Sequence, residues 1–176
     1  MILALFALAS ADPLPDLEAT ARRGACETAA GGRTAVGADQ TYAGQFTRNA
    51  DGTITGYERR LLFANSTWRQ TVAPDGTSGR DCRVHWTVTG TSHPPSARCP
   101  SCAFGVTFEA NVDFGASTCP VRISSDAAHF RAAYDVEQTA DGAVTVRFAD
   151  SGRVLGTGRT ADGELRWISE PRCVWL

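Results

Sequence analysis

Apolar and polar side chains alternate with a period of two through much of this chain. Between residues 82 and 88, Cys82, Val84, Trp86 and Val88 share one face, while Arg83, His85 and Thr87 take the other. Phe104, Val106, Phe108, Ala110 and Val112 repeat the pattern against Gly105, Thr107, Glu109 and Asn111. Phe130, Ala132, Tyr134 and Val136 alternate with Arg131, Ala133, Asp135 and Glu137, and Val144, Val146 and Phe148 alternate around Thr145 and Arg147. A period of two with one apolar face is the signature of a half-buried antiparallel strand. Segments 41–48, 54–63, 67–72, 119–124, 153–159 and 163–168 extend the series. Only residues 16–23, with Asp16 as N-cap and Gly24 as terminator, predict a short helix.

The breaks between these runs carry turn chemistry. Asp-Gly occurs at Asp51-Gly52, Asp75-Gly76, Asp141-Gly142 and Asp162-Gly163, with Asp150-Ser151-Gly152 as a relative. Tight hairpin turns place central residues at positive φ, which Gly accepts freely and Asp tolerates. The D-x-[DN]-x-[DN]-G calcium loop with its closing Glu does not occur. Many short strands on tight turns predict an all-β single domain of about eight to ten antiparallel strands, an up-and-down β-barrel or a β-sandwich. Gly44-Gln45-Phe46 and the aromatic C-terminal strand are similar to the lipocalin pattern, in which Gly-x-Trp opens the barrel and an Arg near the end packs on that Trp. Phe46 stands in the Trp position here, so the resemblance implies a lipocalin-like architecture only.

Residues 2–8 form an apolar run, and Ala9-Ser10-Ala11 is a small-x-small cleavage site ahead of Asp12. Residues 1–11 therefore read as a secretory signal peptide, 12–40 as an extended, loosely ordered segment with the short helix, and 41–176 as the disulfide-stapled β-domain. The run is too short for a transmembrane span, which takes about 20 apolar residues. Six cysteines behind an export signal imply disulfides in a secreted or periplasmic protein. The inner four read C-x16-C-x2-C-x16-C, and nesting pairs Cys99 with Cys102 and Cys82 with Cys119, leaving Cys26 for Cys173. Residues facing inward on both 82–88 and 104–112 are even-numbered, so directly opposed partners need an even index sum. Cys82 plus Cys119 gives 201, which excludes a direct ladder pair unless a bulge intervenes. Phe114-Gly115-Ala116-Ser117 is the expected chain reversal, and the bond is expected to close one end of the barrel or sandwich.

Composition then narrows the chemistry. All 17 basic residues are Arg, against 19 acidic residues in a 176-residue chain with a net charge of -2. That balance supplies no dominant basic surface for nucleic acid. The absence of Lys excludes Schiff-base chemistry and a phosphate-loop lysine. The Ala- and Arg-rich usage points to a GC-rich bacterial source, where the Asn65-Ser66-Thr67 sequon carries no weight. Most arginines fall opposite apolar residues, as Arg83, Arg131 and Arg147 do, and are expected on the outer face. Arg166 beside Trp167 and Arg172 near Trp175 are candidates for stacking on indoles.

Three candidate sites follow. Cys99-Pro100-Ser101-Cys102 resembles a thiol-disulfide redox motif, but that chemistry needs a helix N-terminus to activate the first thiol, and strand pattern follows it instead. A zinc knuckle on Cys99 and Cys102, completed by Cys82, Cys119, His85 or His93, has only one short-spaced ligand pair where structural zinc draws on two. Trp68, Trp86, Trp167 and Tyr134 are the candidates to line a ligand cavity, with core packing as the plainer alternative. His85, His93 and His129 read as surface histidines, no Ser lies in a G-x-S-x-G elbow, and carboxylates such as Glu58, Asp81, Glu109, Asp135, Glu137 and Glu164 form no spacing that demands acid-base work. The expectation is a non-catalytic exported module without cofactor or metal, either envelope-associated with a protein partner or binding a small apolar ligand in the barrel. The alternatives are a redox protein using Cys99 and Cys102, and a protein-binding or inhibitor module using loop 91–102.

Overall fold

The computed structural model describes residues 35–62, 82–119, 128–170 and 172–175, with backbone alone at 35–40 and 172–175. It contains β1 (Ala35–Arg48), β2 (Thr53–Leu62), β3 (Cys82–His93), β4 (Phe104–Val112), β5 (His129–Gln138), β6 (Ala143–Phe148), β7 (Val154–Ala161), β8 (Glu164–Ile168) and β9 (Arg172–Trp175). Every pairing is antiparallel and follows chain order from β2 to β8. β1 closes the sheet, pairing with β2 across Gln40–Arg48 and with β8 across Ala43–Thr47. The expected barrel therefore forms, and the sandwich does not.

β9 is a continuation of β8 along the same side of β1. Ala43 faces Ile168, and the pairing resumes at Gln40 facing Arg172. The break is filled by side chains: Ser169 N donates to Tyr42 O, Tyr42 N donates to Ser169 Oγ at 2.8 Å, and Thr41 Oγ1 lies within hydrogen-bond reach of Ser169 O and Oγ. Eight strands thus close the wall, with β8 and β9 sharing one place in it. β1 begins at Ala35 and not at 41, because pairing with β9 holds a segment that has no alternating pattern of its own.

The hairpin chemistry matches the backbone. Gly52, Gly142 and Gly163 have φ of 84°, 83° and 80°, and Asp162 itself sits at 53°. Two consecutive positive φ values between Ala161 and Glu164, which face each other, make the β7–β8 connection a two-residue hairpin. Asp51 accepts from Thr53 N at 2.9 Å and secures the β1–β2 turn.

The interior is filled by a continuous aromatic network. Phe108 contacts Phe46, Phe130 and Tyr134 at centroid separations of 5.6, 6.2 and 4.9 Å, and Tyr134 reaches Trp167 and Phe148 at 6.1 and 5.8 Å. Such contacts contribute about 0.5 to 1.5 kcal/mol each beyond burial of area. Val84, Val88, Val106, Val136 and Val146 fill the gaps between rings. An eight-stranded barrel has an interior of about this capacity.

Both inner disulfides have the nested pairing: Cys82 bonds Cys119, and Cys99 bonds Cys102. The reversal expected at Phe114–Ser117 is corrected. Asp113 N still donates to His85 O, the chain then bulges outward, and Thr118 N and Cys119 N both return to Arg83 O. The index sum is 198 for Trp86 facing Val112 and 201 for Cys82 with Cys119, so the excursion inserts three residues. That insertion resolves the odd parity, and the disulfide fastens the chain back onto the start of β3.

The signal peptide, the helix at 16–23, the strand at 67–72, most of the strand at 119–124, Asp75-Gly76, the sequon, Trp68, Cys26 and the side chains of Arg172, Cys173 and Trp175 lie outside the described residues. Among the described residues no helix is long and apolar enough to cross a membrane.

Candidate functional site

Inward parity on β2 is set by Ile54 and Leu62, which are both buried. The same parity carries Glu58 and Arg60 into the barrel. Arg83, Arg131 and Arg147 keep the outward parity expected of most arginines, whereas the Arg59-Arg60 pair is split, with Arg59 outside over Tyr57 and Arg60 inside over Tyr42 and Trp86 at 4.9 and 5.6 Å. Arg48, at the β1 end of the barrel, is exposed, lies 4.5 Å over Phe104 and donates from Nε to Ser92 Oγ at 3.0 Å. Glu58 is 5% exposed, among the most buried charged groups of the described residues.

Register collects the polar atoms of the interior into one layer. Glu58 faces Trp86 on β3 and Gly44 on β1, and Gly44 faces Trp167 on β8. Directly opposed residues have Cβ atoms about 4.5 to 5.5 Å apart. Gly44 has no side chain, and the Trp167 indole occupies that space: a Cβ there would stand 2.3 Å from Trp167 Nε1. The Trp167 N–H is thereby carried over β1 toward the position next to Glu58. The Tyr134 hydroxyl is near enough to the Glu58 carboxyl to favour its ionised form. Glu58 Oε1, Trp86 Nε1 and Trp167 Nε1 are buried and have no hydrogen-bond partner among the described residues. A buried polar group left in that condition costs about 1 to 3 kcal/mol.

The electrostatics follow from this placement. Burial pushes the Glu58 carboxyl from 4.5 up to about 7, and it outweighs the Tyr134 hydrogen bond and the Arg60 charge, which both act downward. Burial, then the Glu58 charge and hydrogen bond, hold the Tyr134 phenol far above its ordinary range. Glu58 therefore exchanges a proton near neutrality inside an aromatic barrel, with Arg60 beside it. Three of the four expected lining residues, Trp86, Trp167 and Tyr134, face this interior. Glu58, Arg60 and Tyr42 join them, and extending the period-two pattern of β2 and β1 finds all three.

The opposite end of the barrel is plugged. The cavity between Phe46, Arg48, Ile54, Phe104 and Leu165 has a volume of about 60 Å³, whereas ligand pockets run to about 300 Å³ or more. An open groove of about 400 Å³ crosses the outer face of β3–β5, lined by Thr89, Thr91, His93, Thr107, Glu109 and Arg131. His93 is engaged there with Thr107 Oγ1 at 2.9 Å and with Pro94 O at 2.7 Å.

Two other expectations are corrected. His85 does face outward, but the 113–117 excursion covers it, and its backbone N donates to Ser117 Oγ at 3.0 Å. Arg59 Nε donates to His85 Nδ1 at 3.3 Å, and burial followed by the Arg59 charge lowers the imidazole pKa. Arg166 does not stack on Trp167, because the two lie on opposite faces of β8; it pairs with Glu164, which also accepts from Gln45 Nε2 at 2.8 Å. His129 is exposed and bonds Asn111 Oδ1 at 2.9 Å.

Cys99 and Cys102 sit in the β3–β4 connection, and both are buried. β4 follows them directly, with no helix N-terminus at the thiols. Asp135, fully buried although on the outward parity, accepts from Ser96 N at 2.8 Å and from the Ser96 hydroxyl, and so ties this loop to β5. The four cysteines that a zinc knuckle would draw on are consumed as disulfides, and no group of three or more metal-ligating side chains occurs among the described residues. No protein-family model, curated protein sequence or solved structure matches the chain.

Proposed function

We propose that this chain is an exported, non-catalytic binding module that takes one small ligand at the Tyr42 and Arg60 end of the barrel, beside Glu58 and beyond the packed aromatic core. The observation that carries the reading is the polar layer of Glu58, Trp86 and Trp167, in which three buried polar atoms lack partners inside an otherwise apolar, aromatic interior. Unsatisfied buried polar groups are few in folded proteins and each calls for an explanation, and a bound ligand would partner all three at once. Tyr42 and Arg60, both half-buried, lead from this layer toward solvent, while the far end is closed around Phe104. Export is supported by the two disulfides, since such bonds persist in oxidising compartments.

Native mass spectrometry of the protein purified from its own source tests the reading. A small molecule that co-purifies with the wild type, and is lost in Gly44→Leu, is the expected result. Retention of the same molecule by Gly44→Leu would place it outside the barrel and overturn the proposal.

A further inference from the structure

The open groove on the outer face of β3–β5 holds a hydroxyl, an imidazole and a backbone carbonyl in series. We infer that this groove is a self-modification site for small activated acyl esters, with Thr107 as the nucleophile and His93 as its base. The inference is independent of the ligand reading at the Tyr42 and Arg60 end, and either can fail without the other.

The arrangement starts from a glycine. His93 faces Gly105 in the β3–β4 ladder, and its ring lies over that residue: a Cβ on Gly105 would stand 2.5 Å from His93 Cε1 and 2.7 Å from Nδ1. Gly105 thus lets the imidazole cross onto β4 and reach Thr107, the next residue on the same face of that strand. The partners then fix the tautomer. Pro94 O can only accept, so His93 Nδ1, 2.7 Å away, carries a proton. In that tautomer Nε2 is an acceptor, and Thr107 Oγ1 donates to it at 2.9 Å. Thr107 is β-branched and stiff at χ1, which holds its hydroxyl in place. A hydroxyl hydrogen-bonded to a base that a third group orients is the arrangement of an activated nucleophile.

The groove supplies room and a charge. Its volume is about 400 Å³, and Thr107, His93 and Arg131 all line it; small-molecule pockets start at about 300 Å³. Thr107 faces Ala133 on β5, so the exposed Arg131 is its diagonal neighbour. Diagonal residues lie about 7 to 8 Å apart, within reach of a long side chain. The Arg131 guanidinium is the donor on hand for an oxyanion formed above Thr107. In the transfer, Thr107 Oγ1 bonds to the acyl carbon and its proton passes to His93 Nε2. The bond from the acyl carbon to the ester oxygen breaks, and the leaving alcohol takes the proton from Nε2. The products are O-acyl-Thr107 and the free alcohol, with nothing oxidised or reduced. The hydroxyl is consumed, so the chain is modified once and does not turn over.

The sequence favours a clean test, because it contains no Lys and the four described cysteines are disulfides. The full chain is incubated with p-nitrophenyl acetate, nitrophenolate release is followed by absorbance, and the acetyl group is located by peptide mass mapping. One acetyl group on Thr107 is expected. Thr107→Val, which keeps the shape and removes the hydroxyl, is expected to abolish that adduct, and Thr107→Ser to retain it. His93→Gln is expected to slow its formation about a hundredfold. Gly105→Ala, whose Cβ must displace the imidazole, is expected to slow it with the Thr107 hydroxyl still present. Acetyl groups confined to the chain N-terminus, tyrosines or histidines would overturn the inference, as would a Thr107 adduct that forms equally fast in His93→Gln. The adduct map of the wild type decides by itself where a variant fails to fold: absence of acetyl-Thr107 overturns the site.

Discussion

The indole of Trp167 lies over Gly44 so closely that its Nε1 is 2.3 Å from where a Cβ on Gly44 would stand. Gly44 is thus the position on β1 that lets β8 project a large ring across the wall, and the two residues face each other in the ladder. Trp167 is fully buried and touches both Phe46 and Tyr134, at 6.4 and 6.1 Å. A methyl group at Gly44 must displace the ring or the strand. Gly44→Ala is expected to lower stability by about 1 to 3 kcal/mol, the usual cost of overpacking, and to shift the tryptophan emission. Ser101→Ala, on an exposed loop, is expected to stay within about 0.5 kcal/mol of wild type. Urea denaturation followed by fluorescence compares the two.

Glu58 makes stability depend on pH in a definite direction. Its carboxyl is raised from 4.5 to about 7 by burial, so between these values the folded chain holds a proton that the unfolded chain has released. The unfolded state then binds fewer protons, and stability falls as pH rises through this window and levels off above it. At 1.36 kcal/mol per unit, the full shift corresponds to roughly 3 kcal/mol. His85 slopes the other way, because its lowered pKa means that acid favours the unfolded chain. The difference between wild type and Glu58→Gln isolates the Glu58 contribution. Urea midpoints taken across the window are expected to converge in acid and to separate above neutrality, with the variant the more stable; parallel curves would refute the assignment.

The inward faces of β3, β4, β5 and β6 were legible from alternation alone, because one parity in each is apolar over most of its length, with Ser92 and Gln138 as exceptions at strand ends. β2 shows where that reading stops. Ile54 and Leu62 fix its inward parity, yet Glu58 and Arg60 occupy the same parity, and charge argued for the outside. Strand geometry prevailed, since β2 is flanked on both sides by β1 and β3 and cannot flip two residues without losing Ile54 and Leu62. Parity also says only which face a residue takes and not what covers that face. His85 and Asp135 are outward and still buried, one beneath the 113–117 excursion and the other beneath the Ser96 turn. The nested disulfides were readable from spacing, whereas the three-residue insertion behind the odd parity has no signature in the alternation and depends on how 113–119 returns to Arg83.

Asp135 holds the β3–β4 loop through Ser96, and the loop in turn shields its disulfide. Cys99 N donates to Ser96 O, Cys102 N donates to Cys99 O, and Arg98 N donates to Ser96 Oγ. Removing the carboxylate leaves Ser96 N without its acceptor and releases this chain of turns. Asp135→Ala is expected to cost about 1 to 3 kcal/mol and to speed amide exchange at Ser96, Cys99 and Cys102 more than in β4. Reduction of Cys99–Cys102 by mild dithiol, expected to be slow in the wild type because both residues are buried, is expected to accelerate in the variant. Rapid reduction of the folded wild type would favour the redox alternative.

The Cys82–Cys119 bond spans 37 residues and anchors the 113–117 excursion that covers His85. Closing a loop of that length corresponds to roughly 4 kcal/mol in the chain-entropy model. The excursion has other fastenings: Asp113 Oδ1 accepts from Gly115 N and Ala116 N, Arg83 Nε donates to Ala116 O, and Arg83 N donates to Thr118 Oγ1. These bonds are local, and they hold the excursion's shape once β3 is in place. The disulfide instead restricts the unfolded chain, and no local bond replaces that effect. The double substitution Cys82→Ser with Cys119→Ser is therefore expected to lower the urea midpoint substantially while the native His85 environment persists in the folded fraction. Retained contacts of the His85 ring with Tyr57, 5.0 Å away in the wild type, would be read by NMR in the variant. Loss of those contacts in the folded variant would show that the disulfide, and not the hydrogen bonds, sets the conformation of the excursion.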